Sequence, residues 1–145
     1  MLKGISPLLS PEILHILSSM GHRHELAIVD ANFACDEGGP RITRLDGVSA
    51  TAVLDAVLSV LPLERKDAQV CWRMVANGNP DNETPIFKEF REVISKREGE
   101  GLELFPLASA DFKERAGKAY AVIVTGERRP YGNVIVRKGV VPAAE

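Results

Sequence analysis

The chain alternates between short segments that are apolar throughout and longer segments with apolar residues at helical spacing. Residues 25–30 (ELAIVD) and 120–124 (YAVIV) are of the first kind, and neither shows the polar–apolar alternation of a strand with one face in water. Strands that are apolar on both faces are typical of parallel sheets covered by helices. The pattern therefore predicts an α/β fold, in which residues 1–145 form a single compact domain with a largely parallel sheet flanked by helices.

Capping and chain-breaking residues set the expected boundaries of these elements. We expect helices over residues 11–20, 50–61, 83–97 and 109–118, and strands over residues 25–30, 69–75, 102–105, 120–124 and 133–137. Ser10 and Ser49 are predicted N-caps, and Gly21 is the predicted left-handed terminator of the first helix. Residues 31–40 are predicted to form a loop, and residues 126–131 a turn that leaves its two arginines in solvent.

The composition excludes several classes of protein. The chain is 45% hydrophobic and 26% charged with a net charge of −2, so nothing attracts a polyanion and nucleic-acid binding is not expected. No apolar stretch approaches the roughly 20 residues of a membrane helix, and residues 1–9 lack the apolar run of a signal peptide. Cys35 and Cys71 are too few for a disulfide framework or a four-thiolate zinc site. We therefore expect a cytoplasmic protein without a membrane partner.

Polar side chains stand at the ends of the predicted elements. His22 lies in the loop between the first helix and the first strand, and Asp30 lies at the carboxyl tip of that strand, where open α/β sheets place ligand groups. Tyr131, Gly132 and Asn133 form a turn before the last strand. The phenol and the amide both donate and accept hydrogen bonds, and glycine lets the backbone come close to a ligand. Hydroxyl, amide and carboxylate groups suit a sugar better than a flat apolar ligand.

Each of these residues also has a purely structural interpretation, and the residues alone leave both open. His22 can interact with the negative end of the preceding helix, Asp30 can cap the following turn, and Tyr131 can pack within its turn. His22 and His24 stand two residues apart, as metal ligands sometimes do. However, no third histidine stands in ligand spacing and there is no thiolate pair, so no metal site is expected.

Seven short segments spread along the chain form an ordered set. They are residues 2–5 (LKGI), 20–22 (MGH), 29–33 (VDANF), 44–47 (RLDG), 112–116 (FKERA), 125–133 (TGERRPYGN) and 138–140 (KGV). In this order, and over nearly the whole chain, they resemble the L-fucose mutarotase and D-ribose pyranase family. The segment at 125–133 is closer to the fucose branch. The resemblance implies an isomerase that interconverts the α and β anomers of L-fucose or a related aldose, without a cofactor or metal.

The resemblance also implies which residues contact the sugar. His22 matches the proton donor, Asp30 the sugar-binding aspartate, and Tyr131 and Asn133 the pair on either side of Gly132 that contacts the sugar. It further implies that the α/β domain assembles into a homodecamer of two stacked pentameric rings, with monosaccharide sites near subunit interfaces.

One position departs from the family pattern. Ser109 stands where relatives carry a basic or imidazole residue that helps to bind the sugar. The departure leaves the exact sugar open, and two alternatives to the mutarotase remain. A D-ribose pyranase would interconvert pyranose and furanose forms with the same groups, and a sugar-binding protein would show little turnover.

Overall fold

The computed structural model describes residues 1–35 and 38–144, so Asp36 and Glu37 of the predicted loop lie outside the described residues. The described elements are α1 (Pro11–Ser19), β1 (Glu25–Val29), β2 (Arg41–Leu45), α2 (Ala50–Leu58), β3 (Cys71–Met74), α3 (Pro85–Glu98), β4 (Leu104–Leu107), α4 (Ser109–Gly117), β5 (Ala121–Thr125) and β6 (Val134–Arg137). The six strands form one sheet in the order β2-β5-β1-β6-β3-β4.

The sheet is parallel except for β6. β1 and β2 both pair in parallel with β5, and β3 pairs in parallel with β4. β6 lies between β1 and β3 and is antiparallel to both. The first five strands therefore share one direction, and their last residues lie together at what we call the carboxyl end of the sheet. Their first residues lie at the opposite, amino end. The predicted α/β fold with a largely parallel sheet is confirmed.

Helices cover both faces of the sheet, as predicted. Leu26 and Ile28 of β1 pack toward α1, α2 and α3, whereas Ala27 and Val29 pack toward Phe112 of α4. Adjacent residues of a strand point to opposite faces, so a strand buried on both faces has to be apolar at every position. This burial explains the uninterrupted apolar character of residues 26–29, all of which are fully buried.

The predicted N-caps are confirmed, but the predicted terminator of α1 is wrong. The side chains of Ser10 and Ser49 accept hydrogen bonds from backbone N–H groups at the starts of α1 and α2. α1 ends on an extended residue, Met20 (φ −64°, ψ 131°), and the left-handed conformation occurs at Arg23 (φ 70°) instead of Gly21. Residues 21–24 form a turn in which the His24 N–H donates to the Gly21 carbonyl, and a positive φ at its third residue is typical of such a turn.

Two edge strands differ from the prediction. β2 was not predicted, because Arg41 and Arg44 interrupt its apolar residues and β5 is its partner on one side only. β4 runs from Leu104 to Leu107 rather than over residues 102–105, and it includes Pro106. Proline lacks the N–H of a sheet ladder, but an edge strand tolerates it because that side faces solvent. The arginines of β2 and the proline of β4 thus obscure the two edge strands in the sequence pattern.

Candidate active site

The structure divides the six predicted site residues between the two ends of the sheet. Asp30, Ser109 and residues 131–133 lie at the carboxyl end, where β1 and β4 stop and β6 begins. His22 lies at the amino end, in the loop that leads into β1. Between them stand the five residues of β1, which rise about 3.3 Å each and so separate the two ends by roughly 17 Å. A single chain therefore does not bring His22 to the other five residues.

Asp30 and Asn133 meet because their strands are antiparallel neighbours. The Asn133 Nδ2 donates to Asp30 Oδ2 at 2.9 Å, and the Asp30 backbone N–H donates to Asn133 Oδ1 at 2.8 Å. Asn133 is buried, whereas Asp30 is half-buried. Asp30 Oδ1 also accepts the N–H of Asn32 at 2.9 Å, so the carboxylate caps the following turn as well. The pair thus presents one carboxylate of fixed orientation at the surface.

Tyr131 takes an unusual backbone conformation that directs its phenol toward the turn after β3. Its φ is 62°, which is uncommon for a bulky side chain. The hydroxyl accepts from the Asn77 N–H at 3.1 Å and donates to Asn77 Oδ1 at 3.1 Å. Asn77 was not among the predicted site residues, although its position two residues after a predicted strand and at the start of a run of turn formers was a usable signal.

A buried arginine braces the turn that carries Asn77. Arg73 of β3 is 3% exposed, and its guanidinium lies 4.2 Å from the ring centroid of Phe87. It donates to the carbonyl of Pro80 at 2.9 Å and to that of Met74 at 3.2 Å. A cation is retained at this depth because the two carbonyls, the aromatic face and the Glu83 carboxylate at 3.8 Å replace most of its water, although its Nε has no hydrogen-bond partner among the described residues. The arginine therefore ties the turn to the end of β3.

Gly132 is required by packing within the protein. A Cβ at this position would lie 2.6 Å from Cγ of Glu127 and 3.1 Å from Cδ1 of Ile86. The Glu127 side chain thus occupies the space beside Gly132, and the approach of a ligand to this backbone stays a prediction.

Glu127 anchors the segment that carries Tyr131. Its carboxylate is 5% exposed and accepts the backbone N–H and the side-chain Nε of Arg129, each at 3.1 Å. Arg129 also contacts Glu89 on α3, and these hydrogen bonds hold the pKa values of both carboxyls below their usual range. Of the two arginines predicted to be in solvent, only Arg128 is exposed. The ion pairs fix the loop between β5 and β6.

Ser109 is the first residue of α4 and is exposed at the carboxyl end. Its side chain does not cap the helix, whose N-cap is Ala108. One turn later, Phe112 packs edge-on against Phe33 at 6.1 Å between ring centroids. Phe33 lies three residues after Asp30, so this contact links the start of α4 to the loop that follows the aspartate.

At the amino end, His22 contacts a buried carboxylate. Its Nε2 is hydrogen-bonded to Oε2 of Glu64, which is 3% exposed, while the imidazole side chain is 46% exposed. The other oxygen of Glu64 accepts the N–H groups of Arg65 (2.9 Å) and Lys66 (3.0 Å). The Lys66 N–H, followed by His22, lowers the pKa of Glu64 to about 2. Sequence reasoning missed Glu64, because nothing near residue 64 points to a partner 42 residues away.

A cavity of about 600 Å³ also lies at the amino end, beside the His22 loop. Its lining includes Arg23, His24, Glu25, Arg115 and Tyr120. Most of these groups already have partners: Arg115 donates to Glu25 at 2.7 Å, and His24 stacks on Tyr120. The cavity walls are thus braced by internal ion pairs and ring contacts.

Over residues 1–35 and 38–144, no three histidine, cysteine, aspartate or glutamate side chains are grouped closely enough to hold a metal ion. Within the same part of the chain, no helix has both the length and the apolar character needed to cross a membrane.

The chain is similar to proteins of known name over nearly its full length. A profile of the RbsD / FucU transport protein family matches residues 3–141. Relatives named fucose mutarotase are 38% identical in Danio rerio, over 99% of this chain and 97% of the relative, and 39% identical in Homo sapiens, over 96% and 94%. The crystal structure of the fucose mutarotase in complex with L-fucose from Streptococcus pneumoniae is 34% identical, with a TM-score of 0.86 over 97% of this chain and 100% of that chain.

Proposed function

The chain belongs to the RbsD / FucU transport protein family, and we propose that it is a mutarotase that interconverts the α and β anomers of L-fucose. The observation that carries the proposal is the cluster of Asp30, Tyr131 and Asn133 at the carboxyl end of the sheet, in a chain that matches fucose mutarotases. Carboxylate and phenol groups can each hydrogen-bond a sugar hydroxyl, and the buried Asn133 amide holds the carboxylate in place. The family resemblance drawn from the seven short segments is confirmed by these matches.

Anomer interconversion needs a proton to move at two oxygens. The bond between the anomeric carbon and the ring oxygen breaks as the ring oxygen gains a proton and the anomeric hydroxyl loses one, which leaves an open-chain aldehyde. Rotation then presents the other face of the aldehyde, and the reverse transfers close the ring with the opposite configuration. No electrons are gained or lost. The central requirement is a positioned proton carrier, and histidine can act as acid and base near neutral pH.

His22 is the proposed proton carrier, and Asp30 is the proposed acceptor of a sugar hydroxyl. Asn133 uses a donor and an acceptor on Asp30 and is 2% exposed, so it fixes the direction of the carboxylate. Tyr131 is half-buried and its hydroxyl is held by Asn77, which places the phenol oxygen at the same end of the sheet. A sugar lying on Asp30 would meet a rigid set of polar groups.

Under this proposal a complete site needs two subunits. His22 lies at the far end of β1 from Asp30, so the histidine that serves Asp30 comes from a neighbouring copy of the chain. The family resemblance implies a homodecamer of two stacked pentameric rings, and exposed apolar residues supply area for such contacts: Leu2 (61% exposed), Val140 (58%) and Val141 (76%). Sedimentation at micromolar concentration should then give one species near ten subunits, and a monomer would contradict the assembly.

Mixing two inactive variants tests the shared site. His22→Gln retains Asp30, and Asp30→Asn retains His22. In assemblies formed from equal amounts of the two, random pairing gives about a quarter of the sites both intact groups, if each site draws on two subunits. Recovery of a comparable fraction of wild-type exchange supports the shared site. A mixture as inactive as its components, although it co-assembles, would show that both groups act within one chain.

The substrate is tested by saturation-transfer NMR of anomeric exchange over a panel of aldoses. We expect the exchange of L-fucose to be accelerated most. Faster pyranose–furanose exchange of D-ribose would identify the pyranase alternative, and sugar binding without exchange would identify a binding protein.

We also propose the cytoplasm as the compartment, because Cys71 is a buried thiol and thiols persist in reducing surroundings.

A further inference from the structure

Glu64 is the one group among the described residues that is hydrogen-bonded to the imidazole of His22, and it contacts Nε2. We propose that Glu64 is a positioning residue that holds His22 with its hydrogen on Nε2, so that Nδ1 is the nitrogen that exchanges protons with the sugar. This inference rests on the proposed function of His22. It adds which imidazole nitrogen exchanges protons with the sugar and which residue sets the tautomer.

The backbone sets the place of Glu64. Leu63 forms an antiparallel bridge with Lys138, and the Glu64 N–H donates to the Arg137 carbonyl at 3.0 Å. Gly139 allows the two segments to approach, since a Cβ there would lie 2.4 Å from the Leu63 carbonyl oxygen. The His22 loop joins the same segment, because the Arg23 N–H donates to the Lys138 carbonyl at 2.8 Å. Histidine and carboxylate are thus held against each other by main chain on both sides.

Glu64 can only accept hydrogen bonds. Its Oε1 takes two backbone N–H groups, and the Arg23 guanidinium lies 3.8 Å from Oε2. With the pKa lowered to about 2, the carboxyl is ionised under working conditions and has no proton to donate. The hydrogen in the contact therefore belongs to Nε2 of His22. A neutral imidazole carries one ring hydrogen, so Nδ1 has a free lone pair.

The neighbouring histidine shows the opposite arrangement. His24 accepts the Gly21 N–H on its Nδ1 at 2.8 Å and stacks on Tyr120 with 4.7 Å between ring centroids. Its Nδ1 lone pair is already occupied, so protonation there would break the hydrogen bond from the Gly21 N–H. The Nδ1 of His22 has no such partner among residues 1–35 and 38–144, and its side chain is 46% exposed. Of the two histidines, His22 alone offers Nδ1 as a base to a molecule outside the subunit.

The tautomer of His22 can be measured without an activity assay. In the assembled protein with ¹⁵N-labelled histidine, two-bond ¹H–¹⁵N spectra recorded at a pH where imidazoles are neutral should show His22 with a hydrogen on Nε2 and none on Nδ1.

Glu64→Gln gives the more demanding test. The glutamine oxygen would keep the two backbone N–H groups, which turns its NH₂ toward Nε2 and moves the histidine hydrogen to Nδ1. We expect fucose exchange to fall on the order of 10- to 100-fold, with KM little changed because Glu64 is only 3% exposed.

The outcomes separate the inference from the proposed function. A wild-type His22 with its hydrogen on Nδ1 would overturn the inference, and this holds even if Glu64→Gln fails to fold. A folded Glu64→Gln protein with the swapped tautomer and undiminished kcat would also overturn it, since Nδ1 would not be the working nitrogen. If wild type shows the Nε2–H tautomer but His22→Gln retains full exchange, the tautomer assignment stands and the catalytic role of His22 fails.

Discussion

Asp30 and Asn133 stand 103 residues apart in the chain and exchange two hydrogen bonds at the carboxyl end of β1. One of these bonds occupies the backbone N–H of Asp30, and the other occupies a carboxylate oxygen. Because Asn133 is buried, its removal would leave the backbone N–H of Asp30 without this partner in a poorly hydrated place.

We expect Asn133→Ala to lower the free energy of unfolding by roughly 1–3 kcal/mol, the usual result of leaving buried partners unsatisfied. The same change should weaken fucose exchange, because the Asp30 carboxylate is no longer held in one direction. Urea denaturation and saturation-transfer NMR provide the two measurements. Asn32→Ala is the matched control for stability, since only the backbone N–H of Asn32 bonds to Asp30. Equal stabilities of the two variants would contradict the role given to the Asn133 side chain.

Removal of the imidazole should slow exchange far more than it affects folding. We expect His22→Gln to reduce L-fucose anomer exchange by about 10²-fold or more, which is the usual contribution of a positioned acid–base group. His15→Gln on the exposed side of α1 is the control, and it should retain wild-type exchange. A folded and assembled His22→Gln protein with near-normal exchange would remove His22 from the mechanism.

Ser109 supplies a short, neutral hydroxyl at the exposed start of α4. A cation there can form a charge-assisted hydrogen bond, worth about 1.5–3 kcal/mol against 0.5–1.5 kcal/mol for a neutral one. We expect Ser109→Arg to tighten the apparent affinity for L-fucose several-fold, or on the order of 1 kcal/mol. The measurement is exchange rate against fucose concentration.

The control for this change is Ala110→Arg, which adds the same charge one residue further along α4. It should leave the affinity for fucose unchanged. If Ser109→Arg leaves fucose exchange unchanged or abolishes it, while wild type exchanges ribose faster than fucose, the pocket is shaped for a different sugar.

The Arg129 ion pairs should make stability depend on pH in the acid range. Arg129 lowers the pKa of Glu127, so its contribution is complete above the unfolded carboxyl pKa of about 4.3 and is lost as pH falls through the folded value. We expect Arg129→Met to be less stable than wild type by roughly 2 kcal/mol at neutral pH, and the difference to shrink below about pH 4. Urea unfolding at several pH values measures this. Arg128→Met should match wild type throughout, and a pH-independent loss in Arg129→Met would indicate packing rather than charge.

Features that depend on neighbours in sequence were predictable. The caps Ser10 and Ser49 follow from local chemistry, and so does the position of Asp30 at the tip of an apolar strand. Each of these features depends only on where a helix or strand begins or ends, and the neighbouring residues in the sequence determine that.

Features that depend on strand order were not predictable in the same way. Glu64 meets His22, and Asn77 meets Tyr131, only because β6 lies between β1 and β3 and brings its flanking segments to both ends of the sheet. The predicted left-handed conformation at Gly21 was wrong for a related reason. The turn after α1 is held by both the backbone N–H and the side chain of His24, which bond to Gly21, and helix-terminator rules do not include such a side chain.

The reversed direction of β6 has a consequence for how many working sites an assembly can hold. The strand begins beside Asn133 and ends at Arg137, after which the Lys138 carbonyl bonds to the His22 loop. Under the proposed function, each subunit thus carries the sugar-holding half of a site at one end of its sheet and the proton-carrying half of another site at the opposite end. If neighbours join tip to tail, an open row always leaves one half-site of each kind unmatched, whereas a closed ring leaves none. Specific activity per subunit would then rise as rings close and would vanish on dilution to monomers, so turnover itself would report ring closure.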